Sequence, residues 1–366
     1  MSEHAASVAV IIPAFNAGAT IVRTLQSVMA QSLPADEIVV VDDGSTDDTA
    51  AQVQAMAVDI PHLRLVSQVN SGPSAARNRA IRMTRSAFIA PVDADDVWHP
   101  DYLDLCVNAL RANPQAGMTY AWHHLIDMDD RILRGPMPFA IAGAVLGPML
   151  LTNFVGNGSS AVYRRAAIEG AGLYRPPTVQ SHSGEDYFLQ LRIAARWSVL
   201  GIQRDLVGYR KAQGTLSSDC HAGLATRLAA IRLALEEFGP CPLPVERWAR
   251  GDAGRTFAVH LLQQGQRSRA LRVALGALAS DAPAFLFDLG LRVRNLALRR
   301  MGKGAPIDRP LDRLLLLRLR LLANWLPGTR IVPVAFKSPW SLPQDAGPAF
   351  DTADSLRAVV THPVKP

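Results

Sequence analysis

Four short strand-like runs, separated by segments with helical periodicity, constrain the fold of this 366-residue chain most. They cover residues 8–12, 38–41, 64–67 and 88–92, and apolar, partly β-branched runs of this length are typical of buried strands. Apolar strands that alternate with amphipathic helices indicate a mostly parallel sheet with helices on both faces. We therefore predict an α/β fold built on such a sheet.

The segments between these runs carry helix signals. Thr20 is a candidate N-cap for the first helix, and Ser45 or Thr46 is a candidate N-cap for a second helix that ends near Ala57. Pro73 suits the first turn of the third helix. The predicted buried face of the first helix consists of Ile21, Val22, Leu25, Val28 and Met29.

Acidic side chains cluster where these strands are predicted to end. Asp42 and Asp43 follow the second run, and Asp93, Asp95 and Asp96 follow the fourth. Ligands of such sheets bind at the carboxyl ends of the strands, so both groups are expected on one rim. Carboxylates this close repel one another unless a cation or hydrogen-bond donors lie among them. The rim is therefore a candidate ligand and metal site.

Composition and missing motifs narrow the class of protein. Hydrophobic residues make up 49% and charged residues 19% of the chain, which is typical of a globular protein. Residues 13–16 read Pro-Ala-Phe-Asn, where a dinucleotide enzyme has Gly-x-Gly-x-x-Gly, and the chain has no Gly-Lys-Ser/Thr phosphate loop. The three cysteines form no Cys-x-x-Cys pair, which argues against a disulfide framework and a zinc site.

Five motifs occur in order within residues 7–217. They are Val-Ile-Ile-Pro-Ala-Phe-Asn at 10–16, Ile-Val-Val-Val-Asp-Asp-Gly-Ser-Thr-Asp at 38–47, Asn-Ser-Gly-Pro-Ser-Ala-Ala-Arg-Asn at 70–78, Val-Asp-Ala-Asp-Asp at 92–96 and Gly-Glu-Asp-Tyr-Phe-Leu-Gln-Leu-Arg at 184–192. This series resembles glycosyltransferase family 2, the inverting sugar-nucleotide enzymes with the GT-A fold. The resemblance implies a GT-A-type, mostly parallel central sheet flanked by helices.

The resemblance also implies a site for a nucleotide-sugar donor. Phe15 would lie against the nucleobase, where the family often has Tyr, and Asp43 would accept a hydrogen bond from the uracil N3–H. Arg77 and Asn78 would help to hold the base and the diphosphate. The implied nucleotide-binding residues are Pro13, Phe15, Asn16, Asp43, Arg77, Asn78 and Asp93.

Residues 93–96 resemble the DxD motif of the family. The resemblance makes Asp95 the direct metal ligand, Asp93 a contact to the ribose or, through water, to the metal, and Asp96 a supporting residue. The implied cofactor is Mn²⁺ or Mg²⁺, because both take hard oxygen ligands that diphosphate and water can complete.

Two neighbouring carboxylates compete for the role of catalytic base. Asp186 is preferred by its position in the family motif, and Glu185 is the alternative, or a support for the diphosphate. Asp186 is predicted on or just before a helix over residues 187–195. A base at this place would take the proton of an acceptor hydroxyl while the C1–O bond breaks on the opposite face of the sugar.

One motif departs from the family pattern. Members often end the catalytic region with Tyr-Arg-x-His-x-x-Ser, whose His assists the metal or the diphosphate. This chain has Ala212 at the His position. Arg210 or Lys211 would then neutralise the diphosphate, or His221 would approach it.

A group of aromatic and His side chains is placed after a predicted fifth strand. As packing residues they would only line the rim, and as ligands they would contact the acceptor. Residues 153–160 have the same two interpretations, structural support or acceptor site. The group consists of Tyr120, Trp122, His123 and His124.

The chain is predicted to divide into three parts: a catalytic domain over 1–220, a helical extension over 221–326 and a Pro-rich flexible tail over 327–366. Residues 284–326 are apolar with interspersed Arg, so they either lie on an anionic membrane surface or pack as a helical pair. No signal peptide is recognisable, which favours a cytoplasmic protein, peripheral on the inner face of the membrane if the first alternative holds. Helices of the extension are predicted near 224–238, 253–264 and 268–278.

The leading hypothesis is an inverting transferase that moves a sugar from a UDP-sugar to a hydroxyl of a glycan or a lipid-linked saccharide, with no nucleic-acid partner. A non-catalytic module that binds sugar nucleotides or glycans is an alternative, because Ala212 replaces the usual His. A sugar nucleotidyltransferase would need a Gly-rich, Arg-containing triphosphate loop, and residues 13–16 are not one.

Overall fold

A computed structural model describes residues 7–135, 139–178, 183–211, 220–241, 243–263, 265–282, 318, 321 and 330–333. The strands are β1 (Val8–Ala14), β2 (Glu37–Asp42), β3 (Leu63–Ser67), β4 (Phe88–Pro91), β5 (Val97–Trp98), β6 (Ala116–Ile126), β7 (Ile132–Arg134), β8 (Phe139–Ala142), β9 (Ala161–Arg164), β10 (Ser198–Arg210) and β11 (Arg330–Pro333). The helices are α1 (Ile21–Met29), α2 (Thr49–Ala57), α3 (Pro73–Arg82), α4 (Tyr102–Ala112), α5 (Leu146–Leu151), α6 (Arg165–Gly170), α7 (Glu185–Ala194), α8 (Cys220–Phe238), α9 (Val245–Gln263) and α10 (Arg267–Ser280).

The main sheet has the strand order β3-β2-β1-β4-β9-β6-β10-β5, with β7 paired to β6. Strands β1 to β4 pair in parallel, as do β6 and β10, whereas β9 lies antiparallel between β4 and β6. In the register of β1 and β2, Ala14 lies opposite Asp42. The carboxyl ends of the predicted parallel strands therefore meet at one edge, as the sequence indicates.

Strand β1 shows why helices cover both faces of this sheet. Ala9 and Ile11 belong to one apolar cluster, whereas Val8, Val10 and Ile12 belong to the other. Successive side chains of a strand point to opposite faces, so a strand that is apolar at every position needs a cover on each side. The first cluster includes side chains of α3, α5 and α7, and the second includes side chains of α1 and α4.

Several local predictions differ from the structure. Helix α2 begins at Thr49, later than a cap at Ser45 or Thr46 predicts, because both of those residues contact Asn16 instead. Met29 is 42% exposed, so the predicted buried face of α1 ends one residue earlier.

The predicted cap of α1 is also wrong in its contacts. Thr20 occupies the position before α1 but makes no side-chain cap bond. Its hydroxyl donates to the carbonyl of Ala94 at 2.8 Å. Thr20 therefore ties the start of α1 to the loop that follows β4.

The first two helices of the extension pack against α5 and α7 rather than only on each other. Ala230 and Ile231 of α8 and Val245 and Ala249 of α9 belong to the same apolar cluster as α5 and α7. None of the helices among the described residues combines the length and the hydropathy that a membrane span needs. Apart from Arg318 and Leu321, the segment 284–326 lies outside the described residues, so its two interpretations stay predictions.

The predicted Pro-rich tail contains one element that its composition did not indicate. Strand β11 lies within residues 327–366 and pairs antiparallel with β8. The rest of that tail lies outside the described residues, as does Ala212.

Candidate active site

The rim at the carboxyl ends of β1 and β2 carries an exposed aromatic ring. Pro13 and Ala14 close β1, and Phe15 follows with 51% of its surface exposed. Asn16 adopts φ 48° and uses its side-chain oxygen to accept from the Thr46 N–H at 2.8 Å. This turn holds the Phe15 ring out of the core, where a flat ligand can stack on it.

Asp43 lies on the same rim and is 4% exposed. Its carboxylate accepts from the backbone N–H groups of Ser71 and Gly72, both at 2.8 Å, and from the Gln68 amide at 2.7 Å. Asp43 thus fixes the loop that leads into α3. Its predicted contact with a uracil would have to be made alongside these three bonds, and it stays a prediction.

The three aspartates after β4 occupy different environments. Asp96 is fully buried, and its carboxylate accepts from the Ser159 hydroxyl at 2.5 Å and from the Arg210 N–H at 2.8 Å. Burial, with repulsion from Asp95 and then Asp93, raises the pKa of Asp96. Asp96 has both oxygens engaged, which fits the predicted supporting role and not that of a direct ligand.

Asp95 is the carboxylate that fits a metal. Burial first, and repulsion from Asp93 second, raise the pKa of Asp95 to about 6. No described side chain donates a hydrogen bond to the Asp95 carboxylate. Arg210 contacts the backbone carbonyl of Asp95, at 2.7 Å. A hard cation would offset this charge and take its oxygen as a ligand. The described residues hold no cluster of three metal-ligating side chains, so other ligands would have to come from the donor and water.

Arg77 connects the aspartate motif to the predicted base. Its guanidinium donates from Nη1 to Glu185 Oε1 at 2.5 Å and from Nη2 to Asp93 Oδ1. The Arg77 side chain is 5% exposed, and Tyr174 lies under it at 5.3 Å from the ring centroid. Arg77 therefore bridges two acidic residues in this structure, and its predicted contact with the base and the diphosphate stays a prediction.

Asp186 lies in the first turn of α7 beside Glu185, and it is half-buried. Burial first, and the Glu185 charge second, raise the pKa of Asp186 to about 7, whereas Arg77 opposes the shift. Its Oδ1 accepts from the Tyr187 N–H at 2.7 Å. Since Glu185 is paired with Arg77, Asp186 is the carboxylate of this pair that suits proton transfer near neutral pH.

The two basic residues that the sequence suggests in place of the missing His, Arg210 and Lys211, differ in burial. Arg210 is 2% exposed, and its guanidinium contacts the Asp95 carbonyl, the Asp127 carbonyl and the Asp130 carboxylate. It is therefore directed into the protein, which favours a supporting role over a diphosphate contact. Lys211 is half-buried, with Nζ at 4.6 Å from the Tyr209 ring centroid.

Asn78 does not point toward the rim. Its amide nitrogen donates to the Tyr174 carbonyl at 2.8 Å, and its amide oxygen accepts from the Tyr174 N–H at 2.9 Å. Both ends of the amide are thus engaged in holding the segment after α6 against α3. The sequence prediction that Asn78 binds the donor has no support in this geometry.

The aromatic group predicted after a fifth strand lies within β6 itself. Tyr120 and Trp122 are core residues, and the buried His124 contacts Asp205 at 2.8 Å between Nδ1 and Oδ1. His123 alone is half-buried, with its ring 5.8 Å from that of Tyr209. Three of the four candidates therefore pack, and His123 contacts the Tyr209 ring.

Ser159 lies in the segment 153–160, and its contacts favour the first of the two interpretations of that segment, structural support. Its hydroxyl accepts from the Asp93 N–H at 3.0 Å and donates to Asp96, while its carbonyl accepts from Trp98 Nε1 and the Tyr102 hydroxyl. The Asn-Gly-Ser run at 157–159 was the available signal, but a turn-like run does not identify its partners. Ser159 therefore holds the aspartate motif in place through its bonds to Asp93 and Asp96.

Comparison with known proteins finds similarity to sugar transferases in sequence and in fold. Residues 9–170 match the sequence family described as "Glycosyl transferase family 2". Chondroitin synthase of Escherichia coli is 34% identical over 126 residues, which cover 34% of this chain and 18% of that protein. This chain thus corresponds to a minor part of that relative.

Two solved structures share the fold at low sequence identity. Staphylococcus aureus TarS 1–349 in complex with UDP-GlcNAc gives a TM-score of 0.54 at 20% identity, covering 81% of this chain and 92% of that one. The mannosyltransferase PcManGT from Pyrobaculum calidifontis, in complex with GDP-Man and Mn²⁺, gives 0.52 at 20% identity, covering 87% and 86%. The predicted sheet architecture is therefore confirmed.

Proposed function

We propose a function for this chain, which belongs to glycosyltransferase family 2 and has the GT-A-type fold. The proposed reaction is the inverting transfer of a sugar from a UDP-sugar to a hydroxyl of a glycan or a lipid-linked saccharide. The observation that carries the proposal is the Arg77 bridge. It joins Asp93 of the aspartate motif to Glu185, and so brings the neighbouring Asp186 to the rim where the donor would lie.

Asp186 is the proposed general base. It accepts the proton of the attacking hydroxyl as the bond from the sugar C1 to the diphosphate oxygen breaks on the opposite face. One displacement of this kind inverts the configuration at C1. The raised pKa of about 7 supports this role, because a base is most effective when its pKa lies near the working pH.

The proposed donor site uses residues of the rim. The Phe15 ring stacks on the uracil, Asp43 reads its N3–H, and Pro13 and Asn16 shape the turn between them. Lys211 lies near enough to Asp95 for its charge to oppose the rise in the pKa of Asp95. This proximity supports a contact between Lys211 and the diphosphate.

A divalent cation, Mn²⁺ or Mg²⁺, fits the Asp95 carboxylate, and Asp93 would contact it through water or hold the ribose. Bound there, the cation would offset the negative charge of the leaving nucleotide. PcManGT, which shares the fold, was solved with Mn²⁺, and this supports the choice of metal.

A non-catalytic module that binds sugar nucleotides is the rival function. Incubation with UDP-, GDP- and TDP-sugars, Mn²⁺ and a panel of oligosaccharide acceptors separates the two. We expect UDP release that depends on the acceptor and a product of inverted anomeric configuration by NMR. Donor binding without release from any donor and acceptor pair would favour the module.

We expect Phe15→Ala to weaken the binding of UDP. A base that stacks on an aromatic ring gains about 1–3 kcal/mol, so Kd should rise by roughly 5- to 150-fold. Isothermal titration with UDP measures the change. Met29→Ala is the matched control, because Met29 is also an exposed apolar side chain but lies at the end of α1. Equal affinities of the two variants would remove Phe15 from the base site.

A further inference from the structure

Helix α8 of the C-terminal extension contacts the residue just before the acidic pair of α7. Gly184 adopts φ 80°, and a Cβ built there would lie 2.5 Å from Thr226 Cγ2. A side chain at 184 would therefore clash with Thr226 unless one of the two residues shifted. This close approach fixes the backbone immediately before Glu185 and Asp186.

The next residue of α8 lies near the other side of the pair. Arg227 donates from Nη2 to the Leu151 carbonyl at 2.6 Å, and its guanidinium lies close to the Tyr187 hydroxyl. That hydroxyl donates in turn to the Met149 carbonyl at 2.7 Å. Tyr187 is the residue whose N–H contacts Asp186, so Thr226 and Arg227 lie beside the residues that come directly before and after the acidic pair.

Arg227 is itself held by a series of alternating charges through the extension. Asp252 Oδ2 lies 3.6 Å from Arg227 Nη2, and Asp252 Oδ1 lies 3.5 Å from Arg255 Nη2. Arg255 Nη1 lies 3.8 Å from Asp281 Oδ2, and Arg318 contacts both oxygens of Asp281. The series runs from Arg318, far along the chain, to Arg227 beside the start of α7.

Docking of the extension does not require these charges. Ala230, Ile231 and Ala234 of α8 already pack in the shared apolar cluster. Buried ion pairs contribute little net stability over apolar residues of similar size, because desolvation offsets their attraction. Buried ion pairs do fix the positions of their side chains, because a displacement that separates the two partners leaves a charge unpaired. Leu151 also ends α5, so its carbonyl lacks an intrahelical partner and needs one from elsewhere.

We propose that Arg227 is a positioning residue for Asp186, and that the C-terminal helices complete the active site by holding the start of α7 through it. The inference rests on the proposed function in that Asp186 is the base. A displacement of about 1 Å in a catalytic group can cost roughly 10²-fold in rate. Arg227→Ala should therefore lower kcat by up to about that factor while the KM for the donor stays unchanged.

The test compares Arg227→Ala, Arg227→Lys and Arg232→Ala in the full chain. Arg232 lies on the same helix, is exposed, and pairs with Glu246 at 2.8 Å, so its loss controls for removal of an arginine. Hydrogen exchange of a peptide over 184–191 reports the order of α7 whether or not sugar is transferred. We expect faster exchange and lower kcat in Arg227→Ala, partial recovery in Arg227→Lys, and wild-type behaviour in Arg232→Ala.

The outcomes separate the two proposals. Unchanged exchange in Arg227→Ala overturns the positioning role, and so does faster exchange with unchanged kcat. If the wild-type protein transfers no sugar from any donor, the proposed function fails, and the exchange data still decide whether Arg227 holds α7. Thermal unfolding of each variant identifies a general loss of folding, in which case Arg227→Lys, which keeps the charge, carries the comparison.

Discussion

Asp186→Asn is expected to lower kcat by about 10²- to 10⁴-fold, the range that a positioned general base contributes. An amide of the same shape cannot accept the proton, whereas the fold and the donor rim should persist. UDP affinity, measured by titration, should therefore match that of the wild-type protein. Asp59→Asn is the control, because Asp59 is exposed after α2 and far along the chain from the rim residues of α7.

The pH dependence of kcat tests the same residue independently. Burial and the Glu185 charge raise the pKa of Asp186 to about 7, so its basic form is lost as the pH falls through 7. At pH 6 roughly one-tenth of the carboxyl is ionised, and kcat should fall about tenfold per unit below that. Above pH 8 the rate should be level. A flat profile from pH 5 to 8, or a fully active Asp186→Asn, would remove Asp186 from the mechanism.

The sheet and the acidic rim could be predicted because their signals are local. Each strand is a short run that can be recognised from its own apolar residues, as in β1 and β2, which have seven and six residues. Parallel pairing then forces Asp43 and the aspartates after β4 to one edge. The DxD resemblance added the assignment of Asp95, and its unshared carboxylate agrees with that role.

The partners of the cations could not be predicted, because a long side chain reaches residues distant in sequence. Arg77 contacts Glu185, 108 positions away, and Arg210 contacts Asp130, 80 positions away. The motifs place both arginines near the donor, but charge alone does not say whether a guanidinium faces a ligand or an internal carboxylate. Ser45 shows the same limit, since its predicted cap role is taken over by a bond to Asn16.

Arg77→Met should be the most destabilising single change at the site. It leaves the Glu185 carboxylate, 8% exposed, without its cation, and it also removes the partner of Asp93. Removal of one member of a buried pair typically costs about 3–5 kcal/mol of unfolding free energy, which urea unfolding measures. Arg79→Met is the control, because Arg79 lies on the same helix but is exposed.

Two further variants distinguish a lost bridge from simple lost packing. Arg77→Lys keeps the charge, but one ammonium lacks the fork that reaches both carboxylates, so an intermediate loss is expected. Arg77→Met combined with Glu185→Gln should be more stable than Arg77→Met alone, since no uncompensated charge then remains at Glu185. If the double variant is the less stable of the two, the bridge does not control the site, and the placement of Asp186 beside the aspartate motif must depend on packing instead.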